Sequence, residues 1–377
     1  MPLRALARVN LAAIERNVTQ LRTQLSGGAE LCAVVKADAY GHGALQAARA
    51  ALAGGARQLA VATAGEAAGL QAGRVNAPIL VMGAISDDEL PEALASGAEL
   101  VAWSEEFVEQ LVRTAAASGA APVRVHVKLD TGMGRLGTRD AGEAARIAER
   151  VAASGPLLEL AGAMTHFATA DEDPEFVAAQ LQRFEPFVSE LRRQWPGLAI
   201  HAANSAAALT APASHFDLVR CGIAIYGCDP MNVDPAAHAL EPALELTSYV
   251  AAVKRARPGD SIGYGRRFIA ERDTLIATLP IGYADGIRRA FSNNCDVLIG
   301  GRRYPLVGTV SMDNIALDLG RDAGVMPGDP ATIIGVDGSE RQTAEDLARR
   351  IGTINYEIVC GISSRVPRAY HRDGEPA

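Results

Sequence analysis

Eight short apolar runs recur along the first 225 residues, each followed by a stretch with helical periodicity, and this alternation is what most limits the fold. The runs lie at 31–35 (LCAVV), 58–62, 78–82, 98–102, 123–129 (VRVHVKL), 158–165, 198–203 (LAIHAA) and 217–225. The clearest helix spans Pro174 to Trp195, where Val177, Leu181, Phe184, Val188 and Leu191 form an apolar stripe at helical spacing. Others are expected at about 43–54, 64–72, 86–96, 104–118 and 139–153. Strands apolar on both faces alternating with helices indicate parallel βαβ units. Eight units in about 200 residues predict a closed (β/α)8 TIM barrel. The helix at about 10–25 precedes the first strand and is expected to fill the slot after the eighth.

Beyond residue 240 the texture changes. Short β-rich segments such as LELTSYVAAVK, DTLIATLP and NIALDLG are separated by Gly, Pro, Asp and Asn. Only 343–351 reads as helical, opened by Thr343 with Asp346 three positions on. The chain thus divides into a barrel at 11–239 and a mainly β domain at 240–377, joined by the Pro- and Asp-rich GCDPMNVDPAAHALEP.

Composition narrows the partners. A net charge of −8 and a pI near 5.5, without a basic stripe, argue against nucleic acid and for a small-molecule partner. No run of 18 uncharged apolar residues suggests a membrane span, and the N-terminal stretch lacks the pattern of a secretory signal. Five cysteines (Cys32, Cys221, Cys228, Cys295, Cys360) without metal-ligand spacing fit reduced thiols in a cytoplasm, and no metal site is expected.

Catalytic groups of a barrel sit at the C-terminal ends of its strands. Of 36 Lys and Arg residues only Lys36, Lys128 and Lys254 are lysine, and the first two end strands one and five. An amine can lose its proton when desolvated and condense with a carbonyl, whereas a guanidinium stays charged. The same rim carries Asp130 and the TGMGR turn with Arg135, then His166, Asn204 and Ser205, and Arg220 followed by Cys221, Gly222 and Ile223. Taken singly, each has a structural explanation: a strand-end histidine, a helix N-cap, a glycine turn. Together they describe an amine, fixed cations and a phosphate cradle, the equipment of a Schiff-base enzyme.

The strings AVVKADAYGHG, VKLDTGMGRLG, THFATADE, ANSAA, RCGIAIYG, PIGYADG, VGTVSMDNI and INYEIVCGISSRVPR, in that order from about residue 4 to 370, resemble the motifs of the alanine racemase family. The resemblance implies a barrel plus β domain, residues 1–10 as a strand packing with the C-terminal domain, and pyridoxal 5′-phosphate as cofactor. It implies a bacterial, cytoplasmic homodimer with shared active sites that interconverts L- and D-alanine, serving D-alanine supply for peptidoglycan or alanine breakdown. Lys36 matches the lysine that holds the cofactor as a Schiff base and acts as one base. Tyr40, Ser205, Gly222, Ile223 and Tyr356 match the phosphate-binding positions, with Asn204 in the same region. Arg220 matches the residue facing the pyridine nitrogen, Arg135 the one near the phenolate, and Lys128 the one often carbamylated. Tyr264 matches the second base, delivered from the partner subunit, with Met312 beside it for the substrate carboxylate and Tyr283 and Asp313 at the entrance. An ordinary tyrosine, with a pKa of about 10, is a poor base at neutral pH. Positive charge at His166, backed by Arg220, is the expected source of activation. A broad-specificity racemase is the alternative, with a pyridoxal-phosphate decarboxylase, a non-catalytic carrier and a Schiff-base aldolase as more distant ones.

Overall fold

The computed structural model describes residues 3–119, 122–321 and 324–377. They form two compact units, Ile14–Ile225 and Met1–Ala13 with Tyr226–Ala377.

The first unit contains all eight expected strands: β1 (Glu30–Val34), β2 (Gln58–Val61), β3 (Ile79–Val81), β4 (Glu99–Ala102), β5 (Val123–Lys128), β6 (Leu158–Met164), β7 (Ala199–His201) and β8 (Leu218–Cys221). They pair in parallel in that order, and β1 pairs in turn with β8. Between β7 and β8 two backbone bonds, Asp217 N–H to Ile200 O and Arg220 N–H to Ala203 O, both 3.0 Å, nearly complete the ring. The strands are buried on both faces, and Leu31, Leu59, Leu80, Leu100 and Val125 are fully buried.

The intervening helices follow the sequence pattern. Ala64–Ala72 opens with a capping box between Thr63 and Glu66, and Glu105–Ser118 and Ala141–Ala153 are capped by Ser104 and Asp140. Helix Pro174–Gln194 buries the stripe Val177, Leu181, Phe184, Val188 and Leu191. Helix Leu11–Thr23 is tied to the short turn after β8, because Asn17 donates its amide to Ile225 O at 3.2 Å.

The second unit is built on an eleven-stranded sheet. Its alternating burial, as in Leu244–Tyr249 and Ile315–Gly320, is that of a sheet with one face covered. The N-terminal strand Leu6–Asn10 lies within it, antiparallel to Leu244–Tyr249 and parallel to Arg368–Arg372. The expected helix is Ala344–Ile351, with a complete Thr343–Asp346 capping box. Contacts divide the chain after Ile225 rather than at 239. The segment that follows is anchored to the second unit, where Asn355 donates to Asp229 O at 2.7 Å and Glu345 accepts from Asp229 N–H at 2.9 Å. No helix among the described residues is long and apolar enough to cross a membrane.

Candidate active site

Lys36 leaves the end of β1 into a turn that sequence periodicity does not reveal. Ala37, Asp38, Ala39 and Tyr40 all have φ between 52° and 54°, four successive non-glycine residues in the left-handed region. Each such residue costs roughly 1–2 kcal/mol, so the surroundings must hold the turn. The Glu66 carboxylate accepts from Ala37 N–H at 2.6 Å, Asp38 accepts from Ala44 N–H at 2.7 Å, and Gly41 and Gly43 close the loop on Ala37 O and Asp38 O. Strain of this kind gathers where a side chain must be aimed, and it lies between Lys36 and Tyr40.

Glu66 therefore has two tasks, capping helix Ala64–Ala72 and holding Ala37. Glu66→Ala is expected to destabilise the protein by about 1–3 kcal/mol, the loss of a cap plus a stranded N–H. A urea midpoint with an unchanged m-value measures this.

Tyr40 meets the rim from the other side. A Cβ at Gly222 would fall 2.4 Å from the Tyr40 hydroxyl, so only glycine allows this approach. The Ser205 hydroxyl accepts from the backbone N–H of Gly222 at 2.9 Å and of Ala224 at 3.4 Å. Ile223 is fully buried and opens the short turn after β8. Asn204 is the N-cap of Ser205–Thr210, accepting from Ala207 N–H at 3.0 Å. Hydroxyls and backbone amides thus converge beside β7 and β8, as a phosphate requires.

The opposite side of the mouth is cationic. Lys128 is buried, and desolvation first, then the charges of Arg220, Arg135 and Lys36, lower its pKa to about 8. Asp130 organises the turn carrying Arg135 by accepting from Gly132 and Gly134 N–H at 3.0–3.1 Å. Arg220 is buried and donates to Thr165 O, Ala202 O, His166 Nδ1 and His201 Nδ1 at 2.9–3.1 Å. Burial lowers its pKa to about 10, which leaves it charged at neutral pH. Desolvation and the surrounding cations push His166 well below the usual histidine range. The expectation of charge on His166 is thereby corrected: the imidazole is neutral, Arg220 carries the charge, and His166 presents Nε2–H as a donor. Burial pushes the neighbouring Cys221 thiol up to about 12 and leaves it inert.

The motifs do not single out Gln180, Glu99, His126 or His201. Gln180 is fully buried on the stripe of helix Pro174–Gln194, where it donates to Thr131 Oγ1 and His166 O and accepts from Ala168 N–H. A polar residue on an apolar stripe is the signal that could find it. His126 is two residues before Lys128 and so faces the same side of β5.

The second unit gathers four of the remaining residues. Tyr264 is 74% exposed in a glycine-flanked turn whose carbonyl accepts from Thr309 Oγ1 at 2.8 Å. Loop 308–314 continues through Met312 and Asp313 and pairs with loop 282–286, where Tyr283 N–H donates to Ser311 O and Ala284 N–H to Met312 O. Gly282 permits this, since a Cβ there would lie 2.4 Å from Met312 O. Buried Asp285, within the PIGYADG string but given no role by it, fixes both loops by accepting from Gly282 N–H and Arg4. Arg365 holds Asp313 at 2.8 Å. Tyr356 is partly buried in helix Asn355–Cys360.

Comparison with known proteins agrees with this geometry. Residues 9–230 match the alanine racemase N-terminal domain model, and residues 243–370 match the C-terminal domain model. Alanine racemase of Thermobifida fusca is 41% identical, covering 97% of each chain. Alanine racemase 1 of Clostridium acetobutylicum is 38% identical over 98% of this chain and 96% of its own. Among solved structures, alanine racemase from Streptomyces lavendulae superposes with a TM-score of 0.93 at 36% identity, over 98% of both chains. The Bacillus anthracis alanine racemase with bound L-Ala-P gives 0.92 at 37%, over 100% of this chain and 97% of that one. Full-length identity of this order, together with a barrel and β unit matched end to end, shows that the chain belongs to the alanine racemase family.

Proposed function

We propose that this racemase interconverts L- and D-alanine with pyridoxal 5′-phosphate held at the barrel mouth and two bases working from opposite faces. The supporting observation is the mouth itself, where a lysine on a strained turn faces a rim bearing Lys128, Arg135 and Arg220 against one carboxylate, Asp130. Such a rim fits an anionic group, and the side-chain-free Gly222 beside Tyr40 and Ser205 fits its phosphate. When bound, the cofactor supplies an aldehyde carbon for an amine and a ring that withdraws electrons from the substrate α-carbon. Lys36 would hold that carbon and exchange a proton on one face. Tyr40, Ser205, Gly222, Ile223 and Tyr356, with Asn204 nearby, would bind the phosphate. Arg220 would face the ring nitrogen as a donor that keeps its own proton.

Tyr264 would serve the other face from a second subunit, with Met312 and Arg135 holding the substrate carboxylate and Tyr283 and Asp313 lining the entrance. Support for a homodimer comes from Tyr264, Tyr283 and Met312, three of the exposed large apolar residues, which lie on a turn and two loops joined by hydrogen bonds. The donor Nε2–H of His166 would favour a phenolate by hydrogen bonding. A cytoplasmic setting is supported by five cysteines that form no disulfide.

Incubating the purified protein with a panel of L-amino acids and scoring D-enantiomers tests the assignment. Alanine is expected to be racemised fastest; carbon dioxide release, or equal rates on bulky side chains, would reject it.

Lys128 provides a further prediction. Its neutral amine can bond to carbon dioxide and release a proton, forming a carbamate anion able to orient Arg135. Because its pKa is lowered to about 8, the reactive form grows as pH rises through that value. With labelled bicarbonate, a carbon-13 carbamate signal is expected above pH 8 and should vanish on acidification. Lys128→Glu, which keeps an anion, should retain more activity than Lys128→Arg, which should lose roughly 10²-fold.

A further inference from the structure

The guanidinium of Arg220 is buried, and none of its four acceptors is a carboxylate. Its hydrogen bonds nevertheless lead to an anion at the far end of the barrel. Arg220 donates to His201 Nδ1 at 2.9 Å, His201 Nε2 lies 2.9 Å from His126 Nδ1, and His126 Nε2 lies 2.7 Å from Glu99 Oε2. A guanidinium only donates, so His201 must accept on Nδ1 and carry its proton on Nε2. His126 must then accept on Nδ1 and donate from Nε2 to Glu99. Each link points the same way, and aligned bonds strengthen one another in a dry interior.

Two further observations indicate that the chain is built into the fold. A Cβ at Gly162 would fall 2.2 Å from His126 Nδ1, so the glycine makes room for the imidazole contact. Glu99, the first residue of β4, is anchored by Arg124 Nε at 2.7 Å and Gln58 Nε2 at 2.8 Å. Burial alone would raise its pKa, but the hydrogen bond from His126 and the hydrogen bond and charge of Arg124 hold it below the usual carboxylate range.

We propose that Glu99, through His126, is a positioning residue for the racemase: it fixes the tautomers of both imidazoles and thereby keeps a lone pair facing Arg220. The role depends on the reading of Arg220 given above, but the tautomers can be observed whether or not alanine is the substrate. Without the carboxylate, His126 and His201 can turn their protons toward Arg220, which then loses an acceptor and its fixed aim.

The test uses holoenzyme labelled with nitrogen-15 histidine and long-range proton–nitrogen correlation. Wild type should show His126 and His201 each as a single Nε2–H tautomer; Nδ1–H on His201 would overturn the proposal. Glu99→Leu should populate a second tautomer at His201 and lower kcat about ten-fold at unchanged KM. Glu99→Gln, whose amide oxygen still accepts, should restore the single tautomer and bring kcat to within about three-fold of wild type. Glu99→Leu with wild-type tautomers and kcat, or Glu99→Gln as impaired as Glu99→Leu, would reduce Glu99 to a strut in the barrel floor.

Discussion

Lys36→Ala protein is expected to racemise alanine at least about 10⁴-fold more slowly than the parent, since the change would remove both the covalent attachment and the base proposed for Lys36. Lys36→Arg should fail as completely. It retains the charge and much of the reach but cannot shed a proton at ordinary pH, so the pair of variants separates chemistry from electrostatics. The turn after Lys36 strengthens this expectation, because four left-handed residues are a large expense for merely placing a cation at a strand end. Polarimetry gives the rate. Borohydride reduction followed by peptide mass analysis should find cofactor joined to the Lys36 peptide in the parent and none in either variant. A Lys36→Ala enzyme with parental turnover and no added amine would remove the central chemical role assigned here.

The barrel was legible because a strand buried on both faces is written as a continuous apolar run, and all eight runs became strands with ends shifted by a few residues. Lys36 and Lys128 stood out because lysine is scarce in this chain and both end strands. The roles of Tyr264, Met312 and Tyr356 came from family resemblance, since no periodicity distinguishes an exposed loop tyrosine. Two features were hidden for physical reasons. The left-handed turn is spelled Ala-Asp-Ala-Tyr, with no glycine to announce it, and its support comes from Glu66 on another βα unit. The path from Glu99 to Arg220 joins four strands, so no single window contains it. Only the parity of His126 with Lys128 hints at an inward-facing polar layer.

Tyr264→Phe should divide the two half-reactions. Mirror-image alanines have equal free energies in an achiral solvent, so kcat/KM must fall by the same factor in both directions, whichever base is lost. Racemisation rates alone therefore cannot assign the faces. Hydrogen exchange with solvent does, because a base that serves one enantiomer can remove and return its proton without inversion. If Tyr264 serves the L face and Lys36 the D face, deuterium entry into L-alanine should fall roughly 10³-fold in Tyr264→Phe, within the range of a lost general base. Entry into D-alanine should fall less than about ten-fold, since Lys36 and its turn are untouched. Phenylalanine keeps the ring, so the exposed apolar surface formed with Tyr283 and Met312 survives, and any assembly that uses it is left intact. Equal loss from both enantiomers would remove Tyr264 from its one-face role. Normal exchange from both would take it out of proton transfer altogether, leaving the second face to another donor.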